Sequence, residues 1–353
     1  MDVCFHGIPD IEYTGYGELY KRLIIALFRN GVKLWHLNSL KGYDLQIIIA
    51  PPQEEIKKFI CRKSNRYGIF TMHEAEKLPN GWVDSINEGF DFVIVPSRWC
   101  QQVFKNNGIE KPIYCVPLGI ESNQYPYLDR QDNPFYSIIW EGDYPNGRKG
   151  WELLDTALKE LNLEDIRVIQ KFVRYKTKFT TQTEFYDVHM WSIGKAIPQH
   201  ERLFLLKEAN LSVNPTRGEG FGLIPLEHMA TGLPTIVSSN TGCQEYINPK
   251  FNIGLDCKQE PSFFNRIGGD FGYDMVPTIK SIKEKILWCY ENREEAKEMG
   301  KRASEWVKTN LTWDHSALKM MNVIEHILGS GIYFEDINQR KEINNLGGIC
   351  QTS

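Results

Sequence analysis

A chain of 353 residues is longer than one hydrophobic core usually fills, so two domains are expected. Apolar residues at 42% and charged residues at 24% are ordinary for a soluble folded protein, and a formal charge of -4 gives no basic field to gather a polyanion in bulk. Cys4, Cys61, Cys100, Cys115, Cys243, Cys257, Cys289 and Cys350 form no Cys-x-x-Cys pair, and at this length they are expected to be buried or free thiols in a reducing compartment rather than a disulfide scaffold. No apolar run nears the roughly 20 residues that span a bilayer, and MDVCFHGIPD shows no basic region followed by an apolar one. A cytoplasmic location is expected, with peripheral membrane contact left open.

Short apolar runs alternate with helical patterns almost from end to end. Residues 2–8 predict a first strand, and GELYKRLIIALFRNG a helix with its apolar stripe at Leu19, Leu23, Ile24, Leu27 and Phe28, closed by Gly31. Residues 45–50, 67–72, 91–97 and 113–119 are apolar without alternation, as parallel strands covered on both faces are. The polar stretch 121–135 with its two prolines predicts an inter-domain connection. A second series follows: strands in YSIIWEG, IRVIQKFV, LSVNP and PTIVSS, with helices in WELLDTALKEL and ERLFLLKEA. Residues 281–310 predict a charged helix and 316–329 a last one before a polar tail. The fold class is therefore α/β: two doubly wound domains of similar size with a cleft between them, ligands sitting beyond the carboxyl ends of the strands.

The stretch RGEGFGLIPLEHMATGLP carries the strongest chemical signal. Gly218, Gly220 and Gly222 allow close backbone approach, Pro225 suits a first helical turn and Gly232 a helix end. A helix start offers free N–H groups to a phosphate, while Glu219 in the loop and Glu227 in the helix can accept hydrogen bonds from sugar hydroxyls. That combination suits a ligand that is part phosphate and part sugar. Arg148 and Lys149 in NGRKG add two adjacent cations before a predicted helix, a place that suits a phosphate. Gly15 and Gly17 in DIEYTGYGELYKRL open a loop onto a helix and form a second candidate phosphate site, although the third glycine of a dinucleotide fingerprint is missing. The absent fingerprint argues against a dinucleotide-dependent oxidoreductase. His73 and Glu74 follow the strand 67–72 at its carboxyl end. No Asp-x-Asp triad occurs, and Asp10-Ile-Glu12 is read as a loop cap.

Glu219, seven residues, then Glu227, inside GEGFGLIPLEHMATGLPTIVSSNTG, resembles the retaining GT-B glycosyltransferases, especially glycosyltransferase 4. Residues 70–120 look like the acceptor-side domain of many members, and residues 141–154 like the first strand and helix of their donor-side domain. The resemblance spans residues 1–330 and implies two Rossmann-like α/β/α domains facing across a cleft. Residues 1–122 would be the acceptor side and 123–315 the nucleotide-sugar side, with 316–353 a helix crossing back to the first domain plus the tail.

The resemblance also assigns roles. It places Glu219 by the donor sugar and Glu227 at the ribose. Backbone around Phe221, Gly222 and Leu223 would face sugar and phosphates, and Lys149 matches the family's phosphate lysine. His73 and Glu74 match a position that contacts the transferred sugar or the acceptor, and Gly15 and Gly17 match a glycine-rich loop. Members often carry a Gly-Arg pair where this chain has Gly142-Asp143, so either Arg148 or Arg174 covers the missing charge or the leaving group is less stabilised here. The activity implied is metal-independent, retaining transfer of a hexose from a donor such as GDP-mannose or UDP-glucose to a carbohydrate or glycoconjugate hydroxyl. No cofactor and no nucleic-acid partner are expected. The competing readings are another GT-B enzyme, epimerase- or phosphorylase-like, or a catalytically weak binding protein on the same fold.

Overall fold

The computed structural model describes residues 2–7, 15–35, 42–53, 56, 64–130, 134–143, 147–173, 184–186, 189–194 and 196–329. Asp10, Glu12, Arg174 and the tail beyond residue 329 lie outside these. The chain forms two units: Met1–Gly119 joined by Asn310–Ser353, and Ile120–Thr309.

In the first unit the order is β1 (Val3–Gly7), α1 (Gly15–Arg29), β2 (Leu34–Trp35), β3 (Leu45–Ile49), β4 (Tyr67–Phe70), α2 (Trp82–Gly89), β5 (Phe92–Val95), α3 (Arg98–Asn106) and β6 (Ile113–Cys115). The strands form one parallel sheet ordered β2-β1-β3-β4-β5-β6. Every residue of β3 is buried, Gln46 included, as in a strand covered on both faces. On α1 the buried face is Leu19, Leu23, Ala26 and Leu27, and Phe28 is corrected: it is 74% exposed. At about 100° per residue Phe28 falls about 180° from Leu19, on the opposite side of the helix.

The second unit runs β7 (Tyr136–Asp143), α4 (Trp151–Leu161), β8 (Ile166–Val173), β9 (Glu184–Tyr186), β10 (Met190–Ile193), α5 (Gln199–Glu208), β11 (Leu211–Asn214), α6 (Leu223–Ala230), β12 (Thr235–Ser238), β13 (Ile253–Leu255), β14 (Cys257–Pro261), β15 (Tyr273–Pro277), α7 (Ile279–Glu291) and α8 (Arg293–Asn310). Its main sheet is ordered β13-β12-β11-β7-β8-β10-β9, parallel except for the β9–β10 pair. Alternate residues of β7 serve opposite cores. Ile138 and Trp140 pack with Leu154 of α4 and Ile282 and Ile286 of α7, while Ile139 packs with Leu205 and Leu206 of α5. The antiparallel β14–β15 ladder stands apart from that sheet and was not expected.

Three sequence expectations change here. The single helix 281–310 is two, α7 and α8, because Asn292 ends α7 with φ -115 and its side chain takes the Trp288 carbonyl. The expected connection 121–135 starts just inside the second unit, and its described residues are anchored there. The half-buried Arg130 guanidinium donates to the carbonyls of Leu128, Leu206, Ala209 and Thr231, fastening it across the ends of α5 and α6. Strand β6 covers only part of 113–119.

Beyond α8 the chain returns to the first unit as α9 (Trp313–Leu328), which packs on α1. Thr312 and His315 form a capping box at its start, and Arg29 of α1 grips Asp314 with Nε at 2.9 Å and Nη2 at 2.8 Å. Among the described residues no helix is long and apolar enough to cross a membrane.

Candidate active site

The second sheet reverses its winding at β7. After β7 the chain builds outward through β8 and β10, then crosses to β11 on the other side and continues through β12. Loops leaving β7 and β11 therefore diverge from one point at the carboxyl edge, where doubly wound sheets bind ligands. The β7 loop carries Arg148 and Lys149, and the β11 loop carries Glu219.

These loops are stitched together. Arg217 N donates to the Arg148 carbonyl at 2.8 Å, and Nε of Arg217 to the Gly147 carbonyl at 3.3 Å. Gly150, which begins α4, has φ +70, and a Cβ there would stand 2.0 Å from the Pro215 carbonyl oxygen. Only glycine permits both that backbone and that approach.

The result is one compact ion cluster. Lys149 Nζ lies 2.5 Å from Oε1 of Glu219, and Arg148 Nη1 lies 3.2 Å from Oε2 while also donating to the Gly218 carbonyl at 2.8 Å. Thr216 Oγ1 donates to Oε1 at 3.1 Å. Glu219 is 8% exposed. Burial works to raise its pKa, but Lys149 and Arg148, with the hydrogen bonds from Lys149 and Thr216, outweigh it and hold the carboxyl down at about 2. Asp143, at the end of β7, goes the other way. Burial raises its pKa, against the opposing pull of Arg148 and Lys149.

Just past Glu219 the backbone turns into α6. Gly222 is the N-cap at φ +92 and has no side chain with which to cap the helix, so the first-turn amides after it stay available to an anion. Phe221 is a buried core residue, packed beside Tyr246, whose hydroxyl donates to the Gly222 carbonyl at 2.8 Å. The loop is rigid: Glu219 N donates to Thr241 Oγ1 at 2.9 Å and Gly242 N to the Glu219 carbonyl at 2.9 Å.

Glu227 sits elsewhere on α6, in a second cluster that the sequence did not announce. Arg202 of α5 donates from Nη2 to Glu227 Oε2 at 2.7 Å and from Nε to both oxygens of Glu141, at 3.0 and 2.9 Å. Lys171, opposite Glu141 in the β7–β8 register, stands 3.8 Å from it, and His228 Nε2 stands 3.2 Å from it. Burial pushes Glu141 up, but Arg202, His228 and Lys171 hold it well below the carboxylate range. The apolar positions of α5 gave no hint that Arg202 turns inward.

The first-unit candidates are placed as follows. Gly15 and Gly17 belong to the first turn of α1 rather than to a loop before it, and neither is among the described glycines of positive φ. Between them Tyr16, unremarked in the sequence, bonds Thr71 Oγ1 and the Met72 carbonyl, each at 2.9 Å, tying this helix start to the end of β4. His73 is buried, donates from Nε2 to the Lys77 carbonyl at 3.0 Å and meets Trp82 edge-on, with Glu74 3.9 Å from Nδ1.

Comparison with known proteins bears on this arrangement. A family model described as "Family 4 Glycosyltransferase in conflict systems" matches residues 199–320, a span that holds Arg202, Glu219 and Glu227 but not Lys149. Uncharacterized protein 356 of Sulfolobus islandicus rod-shaped virus 1 is 22% identical over 71% of this chain and 74% of its own length. An uncharacterized glycosyltransferase of Methanocaldococcus jannaschii is 26% identical over 53% of this chain and 50% of its own length. Among solved structures, Anabaena HepE in complex with UDP and glucose aligns with a TM-score of 0.67 at 12% identity, covering 92% of this chain and 100% of that one. Sucrose-phosphate synthase from Thermosynechococcus elongatus aligns with a TM-score of 0.67 at 12% identity, covering 93% and 100%. The family model, the named relative and the shared fold agree: the chain is a glycosyltransferase of the GT-B fold, similar to family 4 over residues 199–320.

Proposed function

We propose that this glycosyltransferase takes a nucleotide-diphosphate hexose on its second unit and transfers the sugar, with retention and without a metal, to a hydroxyl of a carbohydrate or glycoconjugate. The observation that carries the reading is the meeting of Glu219 with Lys149 and Arg148 where the β7 and β11 loops diverge. In the structure the two cations hold a carboxylate. A diphosphate is a stronger anion of similar reach, and it would draw both cations and the first-turn amides of α6. Glu219, relieved of part of its pairing, would then accept hydrogen bonds from the sugar hydroxyls. HepE, which shares the fold, is seen with UDP and glucose, and that supports a donor of this class.

The transfer step is a displacement on one face of the sugar. The acceptor oxygen bonds to the anomeric carbon as the bond from that carbon to the β-phosphate oxygen breaks. The electron pair leaves with the diphosphate, whose growing charge Lys149 and Arg148 meet, and the acceptor proton passes to a departing phosphate oxygen. Glu219 stabilises the positive charge that develops on the ring. Glu227 would accept the ribose hydroxyls, and His73 and Glu74 would serve the acceptor or the transferred sugar.

The test is proton NMR of the product formed from UDP-, GDP- and ADP-hexoses with a panel of carbohydrate acceptors, with and without EDTA. The proposal predicts a product anomer matching the donor and an unchanged rate in EDTA. An inverted anomer overturns retention, and loss of the rate in EDTA overturns metal independence.

A further inference from the structure

Ribose recognition by Glu227 requires that its carboxylate be held at one angle, and a free glutamate side chain rotates through many. Arg202 supplies the hold. Its guanidinium faces three groups at once: Glu227 through Nη2, Glu141 through Nε and the Tyr125 hydroxyl through Nη1 at 2.7 Å. Glu141 is fixed in turn. A carboxylate can only accept, so His228 carries its proton on Nε2 and donates it there, leaving Nδ1 to accept from Ser212 Oγ at 2.7 Å. Asn214 Nδ2 completes the chain by donating to Ser212 Oγ at 2.7 Å. From β11 through α6, β7 and α5, each polar group restrains the next, and the series ends at Glu227.

The series has one open end. Side-chain exposure is 16% at Glu227 but 9% at Glu141. Burying several ions is a poor route to stability, since an apolar cluster of equal volume usually does as well or better. What the ions provide here is orientation.

We infer that Arg202 is a positioning residue for nucleotide recognition: it fixes Oε2 of Glu227 and so turns the remaining lone pairs of that carboxylate toward the ribose hydroxyls. This rests on the ribose assignment of Glu227. Arg202 takes no part in leaving-group stabilisation, which falls to Arg148 and Lys149.

The experiment compares UDP, GDP and ADP with their 2′,3′-dideoxy counterparts by calorimetric titration of the full chain. The wild type is expected to prefer the ribonucleotide of its cognate base by about tenfold or more, the size of a charge-assisted hydrogen bond. Glu227→Gln should lose most of that ratio. Glu141→Leu with Arg202→Leu removes the buried pair, together with the contacts of Lys171 and His228 to Glu141. It should bind nucleotide with a ratio within about threefold of unity, because an undirected carboxylate forfeits most of that bond. Arg202→Lys, which reaches one carboxylate but not both, should fall between and keeps the test open if the double variant does not fold. A wild-type ratio near one, or an unchanged ratio in Glu227→Gln, overturns the ribose assignment and this inference together. A ratio lost in Glu227→Gln but kept in the Arg202 variants overturns the inference alone.

Discussion

Lys149 Nζ and Glu219 Oε1 lie 2.5 Å apart, although 69 residues separate them in the chain and each belongs to a different loop. The pair occupies the point where the sheet reverses its winding, and a diphosphate entering there would compete with Glu219 for the same cation. Glu219→Gln keeps the shape of the side chain and removes that charge. The expected result is a drop in kcat of about 10²–10³-fold, typical of losing one electrostatic contact to a transition state. Single-turnover kinetics at saturating donor would measure it.

The same residue makes a pH prediction. The Glu219 carboxyl moves from its ordinary 4.5 to about 2 in the folded protein. A depressed carboxyl binds fewer protons folded than unfolded, so its contribution to stability is present above 4.5 and fades as pH falls toward 2. That contribution is on the order of 3 kcal/mol at neutral pH. Acid unfolding of Glu219→Gln, followed by circular dichroism, should be flatter than wild type across that window.

Asp143 places a carboxyl beside the cations, where burial raises its pKa. Its negative charge opposes a diphosphate. Asp143→Asn should therefore tighten nucleoside diphosphate binding several-fold, about 1 kcal/mol for a partly screened charge at close range. In the wild type, binding should strengthen as pH falls and Asp143 takes its proton, and the variant should lack that dependence. Titration calorimetry at several pH values reads both.

Arg130 ties the ends of α5 and α6 together. Burial lowers its pKa to about 10, and its guanidinium serves the carbonyls that end α5 and α6. Arg130→Met takes the donors from the Leu206 and Ala209 carbonyls, while Thr231 keeps the Leu128 amide, and should cost about 2–4 kcal/mol, seen as a lower Tm. Donor KM measured well below that Tm should stay near wild type.

Gly150 sets the approach of the two loops, with φ +70 and the Pro215 carbonyl oxygen 2.0 Å from where a Cβ would stand. Gly150→Ala should raise donor KM about tenfold, by moving Lys149, and destabilise the fold by about 1–3 kcal/mol. A matched Gly15→Ala, at a position with open space around it, should leave the Tm almost unchanged.

Sequence and structure agree where the signal is local. Strands such as β3 and β5 were legible because every residue in them is buried, and a run with no polar alternation states that directly. The β14–β15 ladder was not, because CKQEP is mostly polar and partly exposed and carries no period a strand would show. Glu219, Lys149 and Glu227 were legible as residue types at motif spacing. Arg202 was hidden, since its partners Glu141, Glu227 and Tyr125 lie 61, 25 and 77 residues away and meet it only after the sheet forms. Arg130 was taken for connector polarity because nothing in LDRQDN shows that one of its charges points inward.

The account stands most directly on one binding measurement. Nucleoside diphosphates and their sugars, with uracil, guanine or adenine as base, are titrated calorimetrically into the wild type and into Lys149→Ala. One base should bind, and removal of the lysine should weaken it by at least about tenfold, the loss expected of a charge-assisted contact to phosphate. Binding by none of them, or equal binding by the variant, would contradict a donor site at Lys149 and Glu219.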